Sequence, residues 1–414
     1  MIAGSVPPSL ALLLVLFGGL LLLALFLDDI ASQIRLPGIL LVLVLGLLID
    51  NNVQPGPSQP PSLLSLGHAD QLAQFALVLV LFFGGLAANW QQIRQVLVPS
   101  LRLATLGSLL TAGALALVVV IVQTLPGRHF AVGVAGALFV GAMFCSTDAS
   151  AVLTLLRPLR SRLPQRLLDL LECESGFNDP IAVVLASLAL ALPHGQDTAI
   201  APLLVEVVRQ FLLGAFLGFL GGKAAVLMLG RRRHPLNLSQ VTVMGLAALM
   251  LVAGGSALMG ASPLLAAYVM GLVLGNSEEV DPEQLEASQA GFAKLAELML
   301  FLCLGLVVQP TEVVELLPTA LILLLVLLLV RWLVVALLLL RSGFSRADCH
   351  FTALAGLRGA VPVAIALQAA ASDVSWGSAM PAFALAVVLL GLVLQGTLLN
   401  PLARRLGLVG ASHP

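Results

Sequence analysis

Long apolar runs, separated by short polar segments, follow one another along the whole chain. A helix that spans a membrane needs roughly 20 mostly apolar residues, and the runs of this chain predict thirteen such spans. The second and ninth spans are short, which is typical of segments that line a cavity in a transporter. The predicted spans cover residues 9–27, 36–50, 71–88, 103–123, 130–156, 167–192, 202–229, 238–260, 263–275, 289–308, 317–340, 349–371 and 379–402. The pattern therefore predicts an all-α polytopic membrane protein.

The composition supports the same class of protein. Of the 414 residues, 59% are hydrophobic and only 10% are charged, whereas soluble domains carry about 25% charged residues. A net charge of −1 leaves no basic domain to hold nucleic acid. The four cysteines occur singly, without a CxxC pair or a disulfide framework, and we expect no cofactor. The first apolar run lacks a basic leader and a cleavage site, so we expect it to remain as a span.

Lysine and arginine are concentrated in alternate connections between the spans. If the N-terminus lies outside, the cytoplasmic connections hold most of these residues and the opposite side holds Arg128 and Arg209. By the positive-inside rule, this asymmetry predicts a cytoplasmic C-terminus. We expect an integral protein of the bacterial inner membrane, in contact with lipid. Because all polar stretches are short, residues 1–414 are predicted to form one transmembrane domain with no soluble regulatory domain.

Five charged residues fall at the depth of the membrane: Asp148, Glu174, Asp179, Arg331 and Arg358. A charge at the centre of a bilayer costs about 2.5–3.5 kcal/mol on insertion scales, so such side chains are expected to be paired, to face water or to act in function. Function explains the two aspartates better than a structural ion pair does. Three carboxylates and two guanidiniums also predict at least one buried ion pair.

The segment ESGFNDP at 174–180 is polar inside an otherwise apolar stretch. On a helix, Ser175 and Asp179 share one face, which offers oxygen ligands to a hard cation. Glu174 and Asn178 share an adjacent face, which suits an arginine from a neighbouring helix. Pro180 cannot donate a backbone hydrogen bond, so the helix is predicted to bend there.

Two further segments are predicted to interrupt their helices. FCSTDASAV at 144–152 lies in span five, and its Ser, Thr and Asp side chains compete with helical backbone bonds. GLRGAVPVAIAL at 356–367 lies in span twelve, where two glycines and a proline weaken the helix. Interrupted helices at matching positions of two halves with opposite direction are typical of an inverted repeat. The repeats would be spans 1–6 and 8–13.

The three segments together resemble one family of transporters. STDASAV, ESGFNDP and GLRGAVPVAIAL are similar to motifs of the monovalent cation:proton antiporters, in the sodium/proton exchanger branch. The resemblance covers essentially the whole chain. It implies a homodimer of thirteen-helix subunits, with two discontinuous helices that cross beside the ion site. A dimerisation or scaffold part would lie around spans 1–3 and 7–10. A core around spans 4–6 and 11–13 would move like an elevator and exchange Na⁺ or K⁺ for H⁺.

The resemblance also implies roles for individual residues. Asp179 would be the carboxylate that cation and proton share, and Asp148, Thr147 and Ser175 would complete or support the site. Asn178 would also belong to the site, at the position where the electrogenic branch has a second aspartate. Its amide implies that the exchange is electroneutral, one cation for one proton.

Glu174 would pair with an arginine near the site, either Arg358 or Arg331. The sequence leaves both open, with a slight preference for Arg358 because it lies on the interrupted helix. One departure from the family concerns LFFGGL, in which Phe83 stands where relatives often carry an acidic residue. The same oxygen ligands serve Na⁺ and K⁺, so the residue types do not predict the selectivity.

Two other classes of protein were weighed against an antiporter. A passive cation channel, or another ion-coupled transporter, would use similar polar residues, and cation flux coupled to opposite proton flux distinguishes an antiporter from these. An intramembrane protease would need HExxH, a GxGD-type aspartate pair or a Ser–His dyad at span depth, and the predicted spans contain none of these motifs. The sequence therefore predicts a transporter and not an enzyme.

Overall fold

The structure is a computed structural model that describes residues 8–34, 38–49, 64–124, 132–157, 159–192, 200–230 and 237–409. Within these ranges the regular secondary structure is helical and no strand occurs. The α-helices are α1 (Pro8–Ile34), α2 (Gly38–Leu48), α3 (Leu66–Ala87), α4 (Trp90–Arg102), α5 (Ser108–Gln123), α6 (Gly133–Met143), α7 (Ala149–Leu155), α8 (Gln165–Ala191), α9 (Ile200–Gly230), α10 (Leu238–Leu258), α11 (Pro263–Gly275), α12 (Pro282–Val307), α13 (Pro310–Leu339), α14 (Arg346–Leu354), α15 (Ala360–Ala371) and α16 (Met380–Arg405).

Seven helical segments in these described ranges are long and apolar enough to cross a membrane, which confirms an integral membrane protein. They are Leu66–Ala87, Trp90–Gln123, Val205–Gly230, Leu238–Leu258, Glu283–Val307, Pro310–Leu339 and Gly377–Arg405. Of the other predicted spans, the first coincides with the long apolar helix α1, and the rest coincide with helices that are short, interrupted or more polar. The ninth span, for example, is the short helix α11.

The fourth span begins earlier than its hydropathy predicts. The helical segment starts at Trp90, not at residue 103, and continues through a π-helical turn at Leu103–Gly107 into α5. The additional turns, α4, contain glutamines and arginines on one side and bury Ile93 and Val96 on the other. Its polar side lowered the average hydropathy, so the hydropathy criterion missed this amphipathic part.

Both predicted interruptions are present. Residues 144–148 separate α6 from α7, and residues 355–359 separate α14 from α15. The two breaks meet, because the backbone N–H of Asp148 donates to the carbonyl of Leu357 at 2.8 Å. By contrast, α8 continues without a break past Pro180 to Ala191. The backbone of the first break is thus hydrogen-bonded to that of the second. Buried backbone outside a helix needs such partners.

The helices pack mainly within two sets. In one set, α2, α3 and α9–α12 contact each other closely, and a methyl group at Gly46 or Gly85 would overlap the backbone of α12 or α11 respectively. In the other set, α4–α8 pack with each other and α13 packs with α14 and α16. Contacts of α3 and α12 with α15, and of α11 with α8, join the sets. The interrupted helices and α8 therefore lie where the two sets meet.

Candidate ion-binding site

A cavity of about 560 Å³ lies between α3, α8, α11, α12 and the two helix breaks. Its polar lining includes the hydroxyls of Ser146, Thr147 and Ser175 and the carboxylates of Asp148 and Asp179. A second group of lining side chains is charged and more exposed, and marks the opening: Arg160, Glu172, Glu286, Lys294 and Glu297. Water and ions can thus reach the two aspartates from one side of the molecule.

Three polar side chains connect the first break to α8. The amide of Asn178 donates to the hydroxyl of Thr147 at 2.8 Å, and that hydroxyl lies 3.2 Å from the hydroxyl of Ser175. All three side chains are buried. Since the Thr147 oxygen accepts from Asn178, its proton is free to point to Ser175. Asn178 is not part of the cavity lining; it acts on the site through Thr147.

Asp148 lies at the start of α7 and caps it. Its carboxylate accepts from the backbone N–H of Ala151 at 3.1 Å, and its own N–H is held by Leu357. A carboxylate at a helix N-terminus is stabilised by the unpaired N–H groups and the helix dipole. Gly359, at the second break, provides the space, because a Cβ there would overlap the Asp148 carboxylate.

Asp179 is half-buried on α8 and lines the cavity. The Ser146 hydroxyl is its hydrogen-bond partner, and the charges of Asp148 and Arg358 act on it. Two carboxylates and several hydroxyls around one water-accessible space form a set of hard oxygen donors. Such a set suits a small cation or a proton.

Glu174 pairs with Arg331 and not with Arg358, so the slight preference drawn from the sequence was wrong. Two bonds of 2.5 and 2.8 Å join the guanidinium and the carboxylate, and both side chains are almost fully buried. The long side chain of Arg331 reaches from α13 to α8 past Gly356, where a Cβ would come within 3.0 Å of its Nε. A glycine on the interrupted helix therefore opens the path for an arginine on another helix.

Arg358 is buried at the second break and makes a different contact. Its Nη1 donates to the carbonyl of Gly356 at 3.0 Å, just after α14 ends. Within the described residues its Nε and Nη2 have no hydrogen-bond partner. A positive charge there stabilises the negative end of α14. It also offsets part of the negative charge of Glu174 and Asp179, both of which act on it.

The sequence interpretation did not assign roles to two residues beside the site. Ser146 belongs to the run of Ser, Thr and Asp residues at the first break, and its hydroxyl contacts the Asp179 carboxylate. Tyr268 on α11 is buried against Gly176, where a Cβ would overlap the ring, and it packs edge-on against Phe177. Tyr268 is the chain's only tyrosine and lies inside an apolar span, which is the signal by which the sequence could have singled it out.

Comparisons with known proteins identify the family. The family described as "Sodium/hydrogen exchanger, transmembrane" matches residues 17–405. The K(+)/H(+) antiporter NhaP of Alkalimonas amylolytica is 30% identical over 97% of this chain and 68% of its own length. The K(+)/H(+) antiporter NhaP2 of Shewanella sp. (strain ANA-3) is 32% identical over 94% of this chain and 66% of its own length. This chain thus spans about two thirds of the length of these relatives.

The fold is similar to that of a solved structure. The sodium proton antiporter MjNhaP1 from Methanocaldococcus jannaschii, determined at pH 8, matches with a TM-score of 0.80 and 22% identity. The match covers 96% of this chain and 99% of that chain. The two helix breaks and the carboxylates between them fit the family that matches residues 17–405. The chain belongs to the transmembrane sodium/hydrogen exchanger family.

Proposed function

We propose that this chain exchanges a monovalent cation, Na⁺ or K⁺, for H⁺ across a membrane. The observation that carries the proposal is the position of Asp179 and Asp148 in one water-accessible cavity with hydroxyl ligands between two helix breaks. Relatives described as K(+)/H(+) and sodium proton antiporters support the same chemistry. Asp179 is the carboxylate at which cation and proton compete.

A one-for-one exchange is part of the same proposal, and the charges around the site support it. Asp148 caps α7, and a helix N-terminus favours negative charge on its cap. Asn178 carries no charge and donates to Thr147. Of the two aspartates, Asp179 is then the carboxylate whose charge is cancelled by either a cation or a proton. Binding of either ion neutralises it, and the loaded site carries the same charge in both directions of transport.

The movement that we propose is elevator-like. Helices α4–α8 and α13–α16 would form the moving core, and α1–α3 and α9–α12 the scaffold. The packing of the helices in two sets, which meet beside the cavity, supports this division. The matching breaks in α6–α7 and α14–α15 support an inverted repeat with thirteen spans and crossing discontinuous helices. A homodimer formed through the scaffold is part of the same proposal.

The orientation that we propose places the cavity opening in the cytoplasm of a bacterial cell. Arg166, in the first turn of α8, donates to the carbonyls of Ser342 and Gly343, so the arginine-rich connections before α8 and before α14 lie at the same end of the molecule. Arg160 at the opening belongs to one of these connections. The described basic residue predicted for the other side is Arg209, and Arg128 lies outside the described residues. By the positive-inside rule, the arginine-rich end faces the cytoplasm.

The substitution Asp179→Asn tests the proposal. The variant should insert and fold but lose exchange, because an amide takes up no proton and has no negative charge for which a cation and a proton could compete. For the wild type, lower pH on the cation's side should raise the apparent KM for the cation, since protons compete for the same carboxylate. Proteoliposomes with a pH-sensitive dye and pulses of Li⁺, Na⁺, K⁺ or Rb⁺ measure both effects.

Asp373→Asn provides the matched control, because Asp373 is an exposed carboxylate between α15 and α16, away from the cavity. It should exchange ions like the wild type. Coupled exchange by the Asp179→Asn variant would contradict the mechanism. Cation flux without proton movement in the wild type would indicate a channel.

A further inference from the structure

The C-terminal ends of two short helices lie beside the core of the molecule. Helix α7 ends at Leu155, which is buried, and α14 ends at Leu354, which is half-buried. The last carbonyls of a helix have no donor within it, and they carry a partial negative charge. In an apolar environment such carbonyls need donors from elsewhere.

Helix α16 supplies one side-chain amide to each of these ends. Nε2 of Gln395 donates to the carbonyl of Leu354 at 2.8 Å and to that of Gly356 at 3.4 Å. Nδ2 of Asn400 donates to the carbonyl of Leu155 at 3.3 Å. Residues five apart on a helix are separated by about 7.5 Å along its axis and about 140° around it, so the two amides reach two different helices.

The chemistry of an amide suits this position. The nitrogen must face the carbonyl, because the amide oxygen would repel it. The oxygens of both amides are buried and have no partner among the described residues, so the donor is the part of each side chain that is used. An amide also adds no charge beside the Glu174–Arg331 pair and Arg358. A lysine or arginine would add one.

Both contacts lead to Asp148. Gln395 holds Gly356, and the carbonyl of the next residue, Leu357, accepts from the Asp148 N–H. Asn400 holds the last residue of α7, the helix whose first turn is capped by the Asp148 side chain. The position of Asp148 is thus set by the contact with Leu357 and by the seven-residue helix α7. Helix α16 bonds to Gly356, next to that contact, and to the last residue of α7.

The geometry points to Gln395 and Asn400 as positioning residues that together hold the Asp148 carboxylate in place for ion binding. This inference rests on the proposed function, since it requires that Asp148 takes part in the cation site. The two amides touch neither the cavity nor a bound ion; they act through the ends of α14 and α7.

The test compares Gln395→Met and Asn400→Leu with the wild type in proteoliposomes, over a range of Na⁺ and K⁺ concentrations. Each variant replaces one amide donor by an apolar side chain of similar length. The loss of one hydrogen bond should raise the apparent KM by roughly two- to tenfold, with a smaller effect on the maximal rate. Asn400→Gln, which keeps a donor, should retain a KM closer to that of the wild type.

Thr397→Val is the matched control on the same helix. Thr397 is exposed, and its hydroxyl donates to Val393 and Leu394 of α16 itself. Its KM should remain that of the wild type. The rise in Tm on adding Na⁺ or K⁺, against choline, provides a second readout. The Gln395 and Asn400 variants should need more cation for half of this rise, as linkage between binding and stability requires.

One result overturns the inference, and it is distinguishable from failure of the proposed function. If Gln395→Met and Asn400→Leu lower the Tm but keep the wild-type KM and the wild-type cation requirement, the amides have only a structural role. If Gln395→Met does not fold, the KM of Asn400→Leu decides. If the wild type does not exchange ions, or the Asp179→Asn variant does, the proposed function itself fails and the inference fails with it.

Discussion

Glu174 and Asn178 lie one helical turn apart on α8, but their partners come from different parts of the molecule. Glu174 pairs with Arg331 of α13, and Asn178 donates to Thr147 at the break before α7. The adjoining face carries Ser175 and Asp179, which line the cavity. Each turn of α8 therefore presents one polar residue to the protein interior and one to the cavity. This explains why ESGFNDP is polar on two faces.

The ion pair should contribute to stability more than to ion affinity. Removing one partner of a buried pair leaves an uncompensated charge, at a cost of roughly 3–5 kcal/mol. We expect Glu174→Gln to lower the Tm and the yield, with a small change in apparent cation KM. A double-mutant cycle with Arg331→Gln should show strong non-additivity in unfolding free energy.

The matched cycle pairs Glu174→Gln with Arg358→Gln. Its coupling should be clearly smaller, because Arg358 bonds to Gly356 and not to Glu174. Equal coupling in the two cycles, or additivity in both, would contradict the observed pairing. Thermal unfolding of the purified variants in detergent measures all of these values.

Gly359 should be required for ion binding. A methyl group at this position would overlap the Asp148 carboxylate, so Gly359→Ala must displace that side chain or the break itself. We expect a loss of exchange and a rise of the KM in any residual activity. Gly113→Ala on α5 is the control, since open space surrounds Gly113 and alanine favours a helix. Normal exchange by Gly359→Ala would show that the carboxylate tolerates a shift.

At the scale of the elements, the two breaks and α8 form one connected unit. The Asp148 N–H joins the first break to the second, and the Thr147 hydroxyl joins the first break to α8. In each of these contacts, at least one of the two partners lies in a break, where regular helical hydrogen bonding stops. Unwinding thus releases the polar groups with which the elements hold one another.

Thr147 is the residue whose loss should loosen this unit. Thr147→Val keeps the shape but leaves the buried Asn178 amide without its acceptor, which costs about 1–3 kcal/mol. We expect a lower Tm and a raised apparent cation KM. Thr147→Ser keeps the hydroxyl and should behave like the wild type in both measurements. If the valine variant matched the serine variant, the hydroxyl would have no role in joining the break to α8.

At the scale of the whole molecule, the charges of the cavity and the two sets of helices determine how transport responds to voltage. If one positive charge leaves for each that enters, an imposed membrane potential does no net work on the exchange. We therefore expect K⁺/valinomycin potentials of either sign to leave the rate of Na⁺/H⁺ exchange nearly unchanged. A current that reverses with the ion gradients would show that more than one charge moves.

Asn178→Asp provides the comparison for this measurement. It replaces the neutral amide by a second carboxylate beside Thr147, and an additional ion is then needed to neutralise the site. If that variant folds and transports, its rate should depend on the membrane potential while the wild-type rate does not.

The local pattern of the chain was sufficient to predict its class, its two helix breaks and most of its helices. Hydropathy located a helix at every predicted span, and the Ser–Thr–Asp and Gly–Pro segments marked both breaks, because these residues disfavour helix through their own side chains or backbone. Charges inside apolar runs identified the residues that needed partners, since an unpaired charge in a bilayer is costly. These properties depend on neighbours within a few residues, and the sequence determines them directly.

The partners themselves depended on the tertiary structure. Either arginine could satisfy Glu174 by charge, and the packing of the helices brings Arg331 of α13 to its carboxylate while Arg358 bonds to Gly356. The contacts of Gln395 and Asn400 join residues far apart in the chain. The amphipathic helix α4 escaped hydropathy because its polar side lowers the average, and only the helices that it packs against show which side is buried. Which groups meet is a property of the packing between helices, and no local spacing along the chain encodes it.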